Sequence, residues 1–491
     1  MTRRWGIVGL AAALLLLACP QVMAAPSAGP ARVTGLPAPF RSWNVTTEAG
    51  TDRHVQWVTF TSAVLHRRAT MRVVLPDAYA ATTAALPVVY YLHGTTRIGT
   101  DPAVDTIFDG LADAGYAFGY PFSEGSAHNE AAYLATEASR LQFVVVSPDA
   151  GEHAWCEHCG WVDGRDGQGV NAETHLYQEV LPLTEAMFRV RSDRAGRGVM
   201  GASMGAAGAL IQATRHPDRF AVVAALSPVV DYLRDLPYSD ELWYLYLREQ
   251  GYPTGRVSPI ATRAINPADL FSNLRGEGID TVITMGDGCV LTAGQGECQT
   301  AGVTDELIDA YQEVVLRHNA DRVVPKAIAA GVPMSYITYP GVHFVVNHAV
   351  FARHLLDRMN RDFATAAPVP AAATFRSADR AFSIWGWDVA LQRPNQEFVT
   401  VDVRPDGRTF SIAGSGTLQL TSPPVFEPRS RHVVTVEPSE PGRARFDYLA
   451  SADAAGRLHV PVDLGVRHRL DERSGRHRLA PSTQTRITIA P

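Results

Sequence analysis

One serine of this chain stands in a pattern that suits it for nucleophilic attack. Gly201-Ala202-Ser203-Met204-Gly205 follows a short apolar stretch that ends at Met200 and precedes the alanine-rich stretch Ala206–Arg215. A serine on a tight turn between a strand and a helix is held in strained backbone geometry, and close packing there tolerates only small flanking residues. The pattern therefore predicts nucleophilic catalysis on Ser203.

Two backbone N–H groups are the predicted oxyanion donors. Ser203 lies at the positive end of the expected helix, where the N–H group of Met204 can stabilise negative charge. The apolar stretch Val88–Leu92 ends in His93-Gly94-Thr95. Such a turn at the carboxyl edge of a sheet is where the second half of an oxyanion hole is built, so we expect the N–H group of Thr95 to supply it.

The histidine that would activate Ser203 must lie late in the chain, because the order in this type of fold is serine, acid, histidine. His343 fits best, since Pro340-Gly341-Val342-His343-Phe344 follows the predicted strand Pro333–Tyr339. His348 is the nearest competitor and is expected to begin or cap the next helix. We predict His343 as the general base.

The acid has several candidates. Asp287, in Met285-Gly286-Asp287-Gly288, follows the predicted strand Thr281–Met285 directly, which is the usual place for the carboxylate. The alternative interpretation of Asp287 is an ordinary turn residue. Four further carboxylates lie on the next predicted helix, where a solvated face is the simplest explanation for them: Asp305, Glu306, Asp309 and Glu313.

Strand-like and helix-like stretches alternate through the first three quarters of the chain. This alternation predicts an α/β sandwich with helices on both faces of a mostly parallel sheet. The predicted strands are 55–62, 70–75, 87–92, 141–147, 197–200, 221–226, 281–285 and 334–338. The main predicted helices are 174–188, 206–215 and 305–319.

The last quarter contains only short strand-like stretches separated by turn residues. Seven of them in so short a segment predict a smaller all-β domain, an Ig-like sandwich at 374–491, joined to a catalytic domain at 45–363 by the Ala/Pro-rich linker 364–373. Trp385 and Trp387 fall on one predicted strand, 382–389, and would face the same side. They could form a carbohydrate platform or pack into the core.

The N-terminal 24 residues have the features of a secretory signal peptide. Arg3 and Arg4 precede the apolar stretch Ile7–Ala18, and Val22-Met23-Ala24 supplies small residues for cleavage. Because Leu16-Leu17-Ala18-Cys19 resembles a lipobox, lipid anchoring at Cys19 is the alternative to release. We expect a secreted or extracytoplasmic protein without a transmembrane segment.

The other four cysteines form two local pairs, Cys156 with Cys159 and Cys289 with Cys298. Export makes two disulfides the expected state, and a metal site around Cys156-Glu157-His158-Cys159 is the alternative.

The net charge of −6 disfavours nucleic acid as a partner, and the 46% hydrophobic content excludes a disordered chain. The sequence says nothing about oligomeric state.

Residues 55–360 resemble the secreted esterase-D-like putative esterases, and within them the mycolyltransferase (antigen 85) branch. The resemblance rests on the serine and histidine motifs described above and on three shorter stretches, which are the Cys156/Cys159 loop, Glu179-Val180-Leu181-Pro182 and Asn266-Pro267-Ala268-Asp269-Leu270. It implies an α/β-hydrolase fold and an ester substrate, with lipid or cell-envelope glycolipid esters as candidates. The expected serine mechanism needs neither a metal nor an organic cofactor.

The resemblance also affects the choice of acid. In the mycolyltransferase branch the loop that matches Met285–Gly288 carries no acid, and the glutamate lies on the next helix. Tyr311–Arg317 matches that helical segment and puts Glu313 in the place of the acid. The resemblance thus favours Glu313, while the general position of the acid in the fold favours Asp287.

Departures from the branch favour hydrolysis over transfer. Around the base the branch has Gly-Thr-His-Ser-Trp, whereas this chain has Gly-Val-His-Phe-Val at 341–345, and residues 97–140 look like an insertion. The C-terminal β-domain is absent from the mycolyltransferases. We expect a serine carboxylesterase, with an acyltransferase acting on a sugar or glycerol hydroxyl as the first alternative. The second alternative is a non-catalytic cell-wall or polymer-binding protein.

Overall fold

The computed structural model describes residues 30–95, 132–150, 153, 155–156, 158–233, 244–253, 259–288, 305–339, 341, 343, 354–365, 369–472 and 483–490. The predicted signal peptide, Cys19, Cys289, Cys298 and His348 lie outside these residues. Among the helices of the described part, none has the length and apolar character needed to cross a membrane.

A ten-stranded mixed sheet forms the centre of the first part of the chain. Its strands are β1 Ala31–Arg32, β2 Thr46–Ala49, β3 Val55–Ser62, β4 Arg67–Val74, β5 Val88–Leu92, β6 Val144–Ser147, β7 Arg197–Ala202, β8 Val222–Leu226, β9 Asp280–Gly286 and β10 Met334–Tyr339. Their order is β1-β2-β3-β4-β6-β5-β7-β8-β9-β10. Pairing is antiparallel from β1 to β6 and parallel from β6 to β10.

Helices cover both faces of this sheet. They are α1 Asp77–Ala81, α2 Ala132–Thr136, α3 Ala172–His175, α4 Leu181–Met187, α5 Met204–Arg215, α6 Tyr244–Glu249, α7 Ile260–Arg263, α8 Pro267–Leu270, α9 Asp305–Ala329 and α10 Leu356–Ala364. A π-helical turn, Leu176–Val180, joins α3 to α4, and short 3-10 turns occupy Phe40–Ser42, Arg194–Gly196 and Phe271–Leu274. This is the α/β-hydrolase sandwich that the sequence predicts.

Alternate residues of β5 show how the sheet separates two cores. Val88, Tyr90 and Leu92 belong to the core that includes α5 and α9, whereas Val89 and Tyr91 belong to the core that includes α2 and α10. Successive side chains of a strand point to opposite faces, so an unbroken apolar stretch marks a strand that is covered on both. The buried apolar stretches therefore identified the central strands correctly.

The helix α9 is longer than predicted. The sequence analysis ended it at Asn319, but it continues through Pro325 to Ala329. Leu316, Ala320 and Val324 recur at a spacing of four and are fully buried in the core. This apolar face extends the helix past the polar residues at which the prediction stopped.

The sheet also begins earlier than the predicted start of the catalytic domain at residue 45. Strand β1 pairs antiparallel with β2, and Leu36, Phe40 and Trp43 are buried in the core beside the sheet. Phe40 and Trp43 contact each other edge to face at 4.9 Å between ring centroids. The segment 31–44 is therefore part of the packing that supports the sheet.

The C-terminal part is a two-sheet antiparallel β-sandwich. Its strands are β11 Ala373–Ser377, β12 Ala381–Ile384, β13 Trp387–Gln392, β14 Val399–Val403, β15 Thr409–Gly414, β16 Thr417–Thr421, β17 Arg431–Pro438, β18 Phe446–Ser451, β19 His459–Asp463 and β20 Thr483–Ile489. One sheet has the order β11-β14-β15-β20-β17-β18 and the other β12-β13-β16-β19. The sequence analysis predicted the sandwich with three strands fewer.

The prediction of a single strand at 382–389 is wrong. That stretch is a hairpin, since β12 pairs with β13 and the chain turns at Trp385-Gly386, both of which have positive φ angles of 49° and 80°. Positive φ at both central positions is the requirement of a type I′ hairpin turn. Trp387 is fully buried in the sandwich core, and Trp385 is half-buried at the turn. The two rings do not form a carbohydrate platform.

The β-sandwich packs against the first part of the chain through a mixed interface. An apolar cluster joins Ile260, Ala264 and Leu270 to Ala378 and Phe398. Two ion pairs cross the same interface, Arg215 with Asp379 at 2.8 Å and Arg263 with Glu472 at 3.0 Å. Such a contact makes the sandwich part of the folded unit and not a freely tethered module.

The hairpin turn at Trp385 inserts into a polar recess of the catalytic part. Its backbone N–H group donates to Asp218 Oδ2 at 3.1 Å, and its indole N–H group donates to Glu277 Oε2 at 3.1 Å. The guanidinium of Arg194 lies over the indole ring at 5.4 Å from the centroid. Burial raises the pKa of Glu277 to about 7, with Asp218 acting in the same direction and Arg194 against it.

This carboxyl group predicts a pH dependence of stability. Because its folded pKa of about 7 lies above the ordinary value of 4.5, Glu277 retains a proton in the folded state that the unfolded chain releases. The contribution of Glu277 to the free energy of unfolding is therefore fully present below about pH 4.5. As the pH rises towards 7, up to about 3 kcal/mol of this contribution is lost. We expect the thermal stability of wild type relative to Glu277→Gln to fall over this interval. Parallel stability curves would contradict this assignment.

Candidate active site

Ser203 occupies a strained turn between β7 and α5. Its φ and ψ angles are 53° and −119°, and its side chain is 3% exposed. The backbone N–H group donates to Leu226 O of β8, and the carbonyl accepts from Ala207 N–H in the first turn of α5. A non-glycine residue with positive φ persists only where its surroundings fix it, which is typical of a nucleophile turn.

The two glycines of the motif are required by backbone crowding. A Cβ atom on Gly201 would lie 2.4 Å from Leu92 O, and one on Gly205 would lie 1.9 Å from the same oxygen. The obstacle is main chain of the strand β5 and not a side chain that could rotate away. The motif therefore has glycine at these two positions because β5, β7 and α5 approach one another closely.

An alanine at Gly205 should prevent this approach. We expect Gly205→Ala to lower the free energy of unfolding by more than about 4 kcal/mol, because the new methyl group overlaps backbone atoms of Leu92 and His93. As a control, Gly331→Ala places its methyl group in open space and should cost only the left-handed strain of about 1 kcal/mol. Thermal unfolding of both variants measures the difference, and equal losses would contradict the crowding argument.

His343 lies beside Ser203, as the sequence predicts. Its Nε2 atom is 2.9 Å from Ser203 Oγ, and its ring is completely buried. The loop that carries it leaves the carboxyl end of β10, two strands away from β8 and three from β7. Of this loop the structure describes Gly341 and His343. The distance is that of a hydrogen bond between a nucleophile and its base.

The second nitrogen of His343 faces Glu313. Nδ1 lies 2.7 Å from Glu313 Oε2, and the carboxylate is completely buried. The other oxygen, Oε1, accepts hydrogen bonds from Ser227 Oγ at 2.7 Å and from the N–H group of Gly286. With Oε1 held by these two donors, Oε2 can keep the imidazole in one orientation.

Asp287, the other candidate acid, lies elsewhere. Its side chain is exposed, and Oδ1 accepts a hydrogen bond from the N–H group of Gly341 at 3.1 Å. The structure thus brings Ser203, His343 and Glu313 together and places Asp287 beside the loop that carries the histidine. Asp305, Glu306 and Asp309 lie in the first turns of α9, and their side chains fall outside the described part.

The predicted oxyanion donors lie at the two expected turns. Met204 is the first residue of α5 and is buried, so its N–H group belongs to the unpaired amino end of that helix. Thr95 is half-buried and follows the His93-Gly94 turn beyond β5. Both turns lie at the carboxyl edge of the parallel strands, where a substrate carbonyl would approach Ser203.

A set of buried side chains fixes the His93 turn, and the sequence analysis missed most of it. The ring nitrogens of His93 lie 2.6 Å from Gly94 O and 3.0 Å from Asp149 Oδ2. Trp161 Nε1 donates to His93 O at 3.1 Å. Asp149 follows β6 closely, and its position at the carboxyl end of a parallel strand could have identified it as a residue near the candidate site. Ser227, which follows β8, could have been found in the same way.

The geometry around Cys156 does not suit a metal ion. One nitrogen or oxygen atom each from His93 and Asp149 lies within 4.8 Å of the Cys156 sulfur. That sulfur, however, is within bonding distance of Cys159, and the Asp149 carboxylate accepts the N–H groups of Trp155 and Cys156 at 2.9 and 3.0 Å. A thiolate ligand requires a free sulfur, so this donor set does not fit a zinc site.

Comparisons with known proteins give matches to part of the chain. Residues 62–244 match the family model described as "Putative esterase". Esterase Rv1288 of Mycobacterium tuberculosis is 31% identical over 168 residues, which are 34% of this chain and 30% of that protein. The match thus spans less than a third of the curated relative.

Solved structures give weaker likenesses. S-formylglutathione hydrolase from Agrobacterium tumefaciens is 16% identical with a TM-score of 0.41, over 68% of this chain and 100% of that one. MPT51 of Mycobacterium tuberculosis is 14% identical with a TM-score of 0.39, over 62% of this chain and 96% of that one.

Proposed function

We propose that this chain, whose residues 62–244 match the family model described as "Putative esterase", is an exported serine carboxylesterase. The observation that carries the proposal is the continuous contact from Ser203 Oγ to His343 Nε2 at 2.9 Å and from His343 Nδ1 to Glu313 Oε2 at 2.7 Å. A serine, a histidine and a carboxylate in this relation activate the hydroxyl for attack on a carbonyl carbon. Hydrolysis of an acyl ester is the simplest reaction that uses them.

In the first half of the reaction, His343 Nε2 accepts the hydroxyl proton of Ser203 as Oγ bonds to the ester carbonyl carbon. The resulting oxyanion faces the N–H groups of Met204 and Thr95. When the tetrahedral intermediate collapses, the bond to the alcohol oxygen breaks and that oxygen takes the proton from His343. The acyl group is left on Ser203 as an ester.

In the second half, His343 accepts a proton from water, and the resulting hydroxide attacks the acyl carbon. Collapse of this second intermediate returns the proton to Ser203 Oγ and releases the carboxylic acid. Throughout, Glu313 stabilises the imidazolium that forms twice, and hydrogen bonds from Ser227 and Gly286 hold its carboxylate in place. The chain's own side chains supply every proton transfer.

The substrate class is tested with p-nitrophenyl esters of graded acyl length, including long chains that imitate lipid esters, each with and without trehalose or glycerol. We expect nitrophenol and free carboxylic acid in equal amounts with either acceptor present. Accumulation of acylated trehalose or glycerol would instead make the protein an acyltransferase, which uses the same residues. Absence of nitrophenol release with every ester would contradict catalysis and favour a binding protein.

Export is the second part of the proposal. It is supported by the predicted leader and by the Cys156–Cys159 pair, which we propose to be a disulfide, as expected in an oxidising compartment. We expect the mature protein to begin at Ala25 when it is isolated from the culture medium and sequenced from its N-terminus. A lipid-modified Cys19 in the membrane fraction would replace release with anchoring, and an uncleaved intracellular chain would contradict export.

A further inference from the structure

A groove lies at the junction of the two parts of the chain, and its lining residues take no part in the proposed reaction. It has a volume of about 440 Å³ and lies between the second half of α9, the 3-10 turn Phe271–Leu274 and the strand β11. Small-molecule sites have volumes of about 300–1,000 Å³ and occur preferentially between domains. Size and position therefore agree with a ligand site.

The groove carries more positive than negative side chains. Four cations and two carboxylates line it, and they are Arg275, Arg322, Lys326, Arg376, Asp231 and Asp269. This local excess contrasts with the net charge of −6 of the whole chain. Lys326 is the only lysine in the sequence.

Both carboxylates of the groove are engaged by the protein. Asp269 Oδ1 lies 3.3 Å from Arg263 Nε, and its Oδ2 accepts from the amide of Asn266 at 2.8 Å. Asp231 Oδ1 accepts from the same amide group at 2.9 Å and from the N–H group of Leu233 at 3.1 Å. These contacts tie both carboxylates to the protein, and four cations against two carboxylates leave a positive excess in the lining.

Arg376 is held in place at the groove wall. Its guanidinium lies 3.6 Å from the ring centroid of Phe398, and it donates to Asp269 O at 3.2 Å. Burial lowers the pKa of Arg376, with Arg263 acting in the same direction and Glu472 against it. An arginine is charged at neutral pH even so, and Glu472 Oε1 lies 3.9 Å from Arg376 Nη2.

The rest of the lining is mostly apolar, with Ser272 and Asn319 as its polar members. Phe271 and Val332 are almost fully buried, and Val323 is half-buried between the cations of α9. A site with an apolar wall and a few charged groups selects a ligand that has both characters. Inorganic anions would use only the charged part of this lining.

We propose that this groove binds a small amphiphilic anion, with a carboxylate or phosphate head group at the cations of α9 and an apolar body along Phe271, Val323 and Val332. The proposal is independent of the proposed reaction, because the groove shares no side chain with Ser203, His343 or Glu313. A carboxylate and a phosphate present the same charged oxygens to arginine and lysine, so the two head groups are tested side by side.

The single lysine allows a direct test. Reductive methylation of the full-length mature protein, followed by peptide mass spectrometry, reports the reactivity of Lys326 with the α-amino group as an internal reference. We use Ser203→Ala, so that no ligand can react at the serine. Hexanoate or hexyl phosphate should slow methylation of Lys326 at least fivefold and leave the α-amino group unaffected, whereas hexanol should protect neither.

Variants of the groove test the role of the cations. Titration calorimetry with the better of the two anions should show a Kd at least tenfold higher for the double variant Arg322→Gln/Lys326→Gln. Arg431→Gln, an exposed cation of the sandwich, is the matched control and should leave the Kd unchanged. Protection by hexanol equal to that by the anions would overturn the proposal. So would protection by inorganic phosphate equal to that by hexyl phosphate, absence of protection, or an unchanged Kd in the double variant.

Discussion

Replacing Ser203 with alanine should reduce ester hydrolysis at least about 10⁴-fold, which corresponds to about 5 kcal/mol of lost transition-state stabilisation. The variant loses the atom that forms the acyl-enzyme, while His343 and Glu313 keep their contact at 2.7 Å. The initial rate of p-nitrophenyl butyrate hydrolysis at saturating substrate measures the loss. Because one buried hydroxyl is removed and no volume is added, we expect the thermal unfolding midpoint to change little.

The control for this experiment is a serine in the same core. Ser227→Ala removes a hydroxyl that contacts Glu313 but not the reacting atoms. It should lower the rate far less than Ser203→Ala, with kcat falling more than KM changes. Retention of wild-type activity by Ser203→Ala would show that Ser203 is not the nucleophile, whatever the results for the other variants.

Glu313→Gln should have the second largest effect, a loss of about 10³ to 10⁴ in kcat. Ser227 and Gly286 both donate to Oε1, so the amide oxygen of the glutamine takes that place and its NH₂ group faces His343 Nδ1. The imidazole must then accept at Nδ1 and carry its proton on Nε2. In that tautomer it cannot accept the proton of Ser203.

Asp287→Asn is the matched control for the acid. Its Oδ1 atom accepts from the N–H group of Gly341, and an asparagine oxygen can do the same. We expect the kcat of this variant to stay within about threefold of wild type. Steady-state kinetics of the two variants distinguishes the two acids, and a large loss in Asp287→Asn with little loss in Glu313→Gln would transfer the role to Asp287.

The sequence could not decide between the two candidate acids, although it identified the candidate nucleophile and base. Ser203 and His343 could be predicted because each lies in a short local pattern, a glycine-flanked turn and a loop at the end of a strand. Asp287 and Glu313 both occupy positions from which a carboxylate could reach the histidine. In the structure, the contact of Glu313 with His343 and its burial against Ser227 and Gly286 separate the two.

The C-terminal strands illustrate a second limit. Alternating apolar residues predicted the sandwich. The prediction missed the two-residue turn inside one apolar stretch, because a bulky residue such as Trp385 rarely adopts the positive φ angle that this turn requires. The contacts of this turn with Glu277 and Asp218 then give the sandwich a place in the fold that no local pattern could predict. Long-range docking depends on residues far apart in the sequence.

The same reasoning applies to the residues that support the predicted oxyanion hole. His93 could be found from its strand and turn, whereas Asp149 and Trp161 are ordinary residues in the sequence that meet it only after folding. We therefore expect the positions that orient the candidate site to be scattered along the chain.

Active-site labelling tests the central claim most directly. A fluorophosphonate forms a stable covalent bond to an activated serine, and peptide mapping of the labelled protein identifies the residue. We predict one phosphonyl group per chain, located on the peptide that contains Ser203, with ester hydrolysis lost in proportion to labelling. Labelling of another residue, or full esterase activity in a protein that the reagent does not modify, would contradict the account.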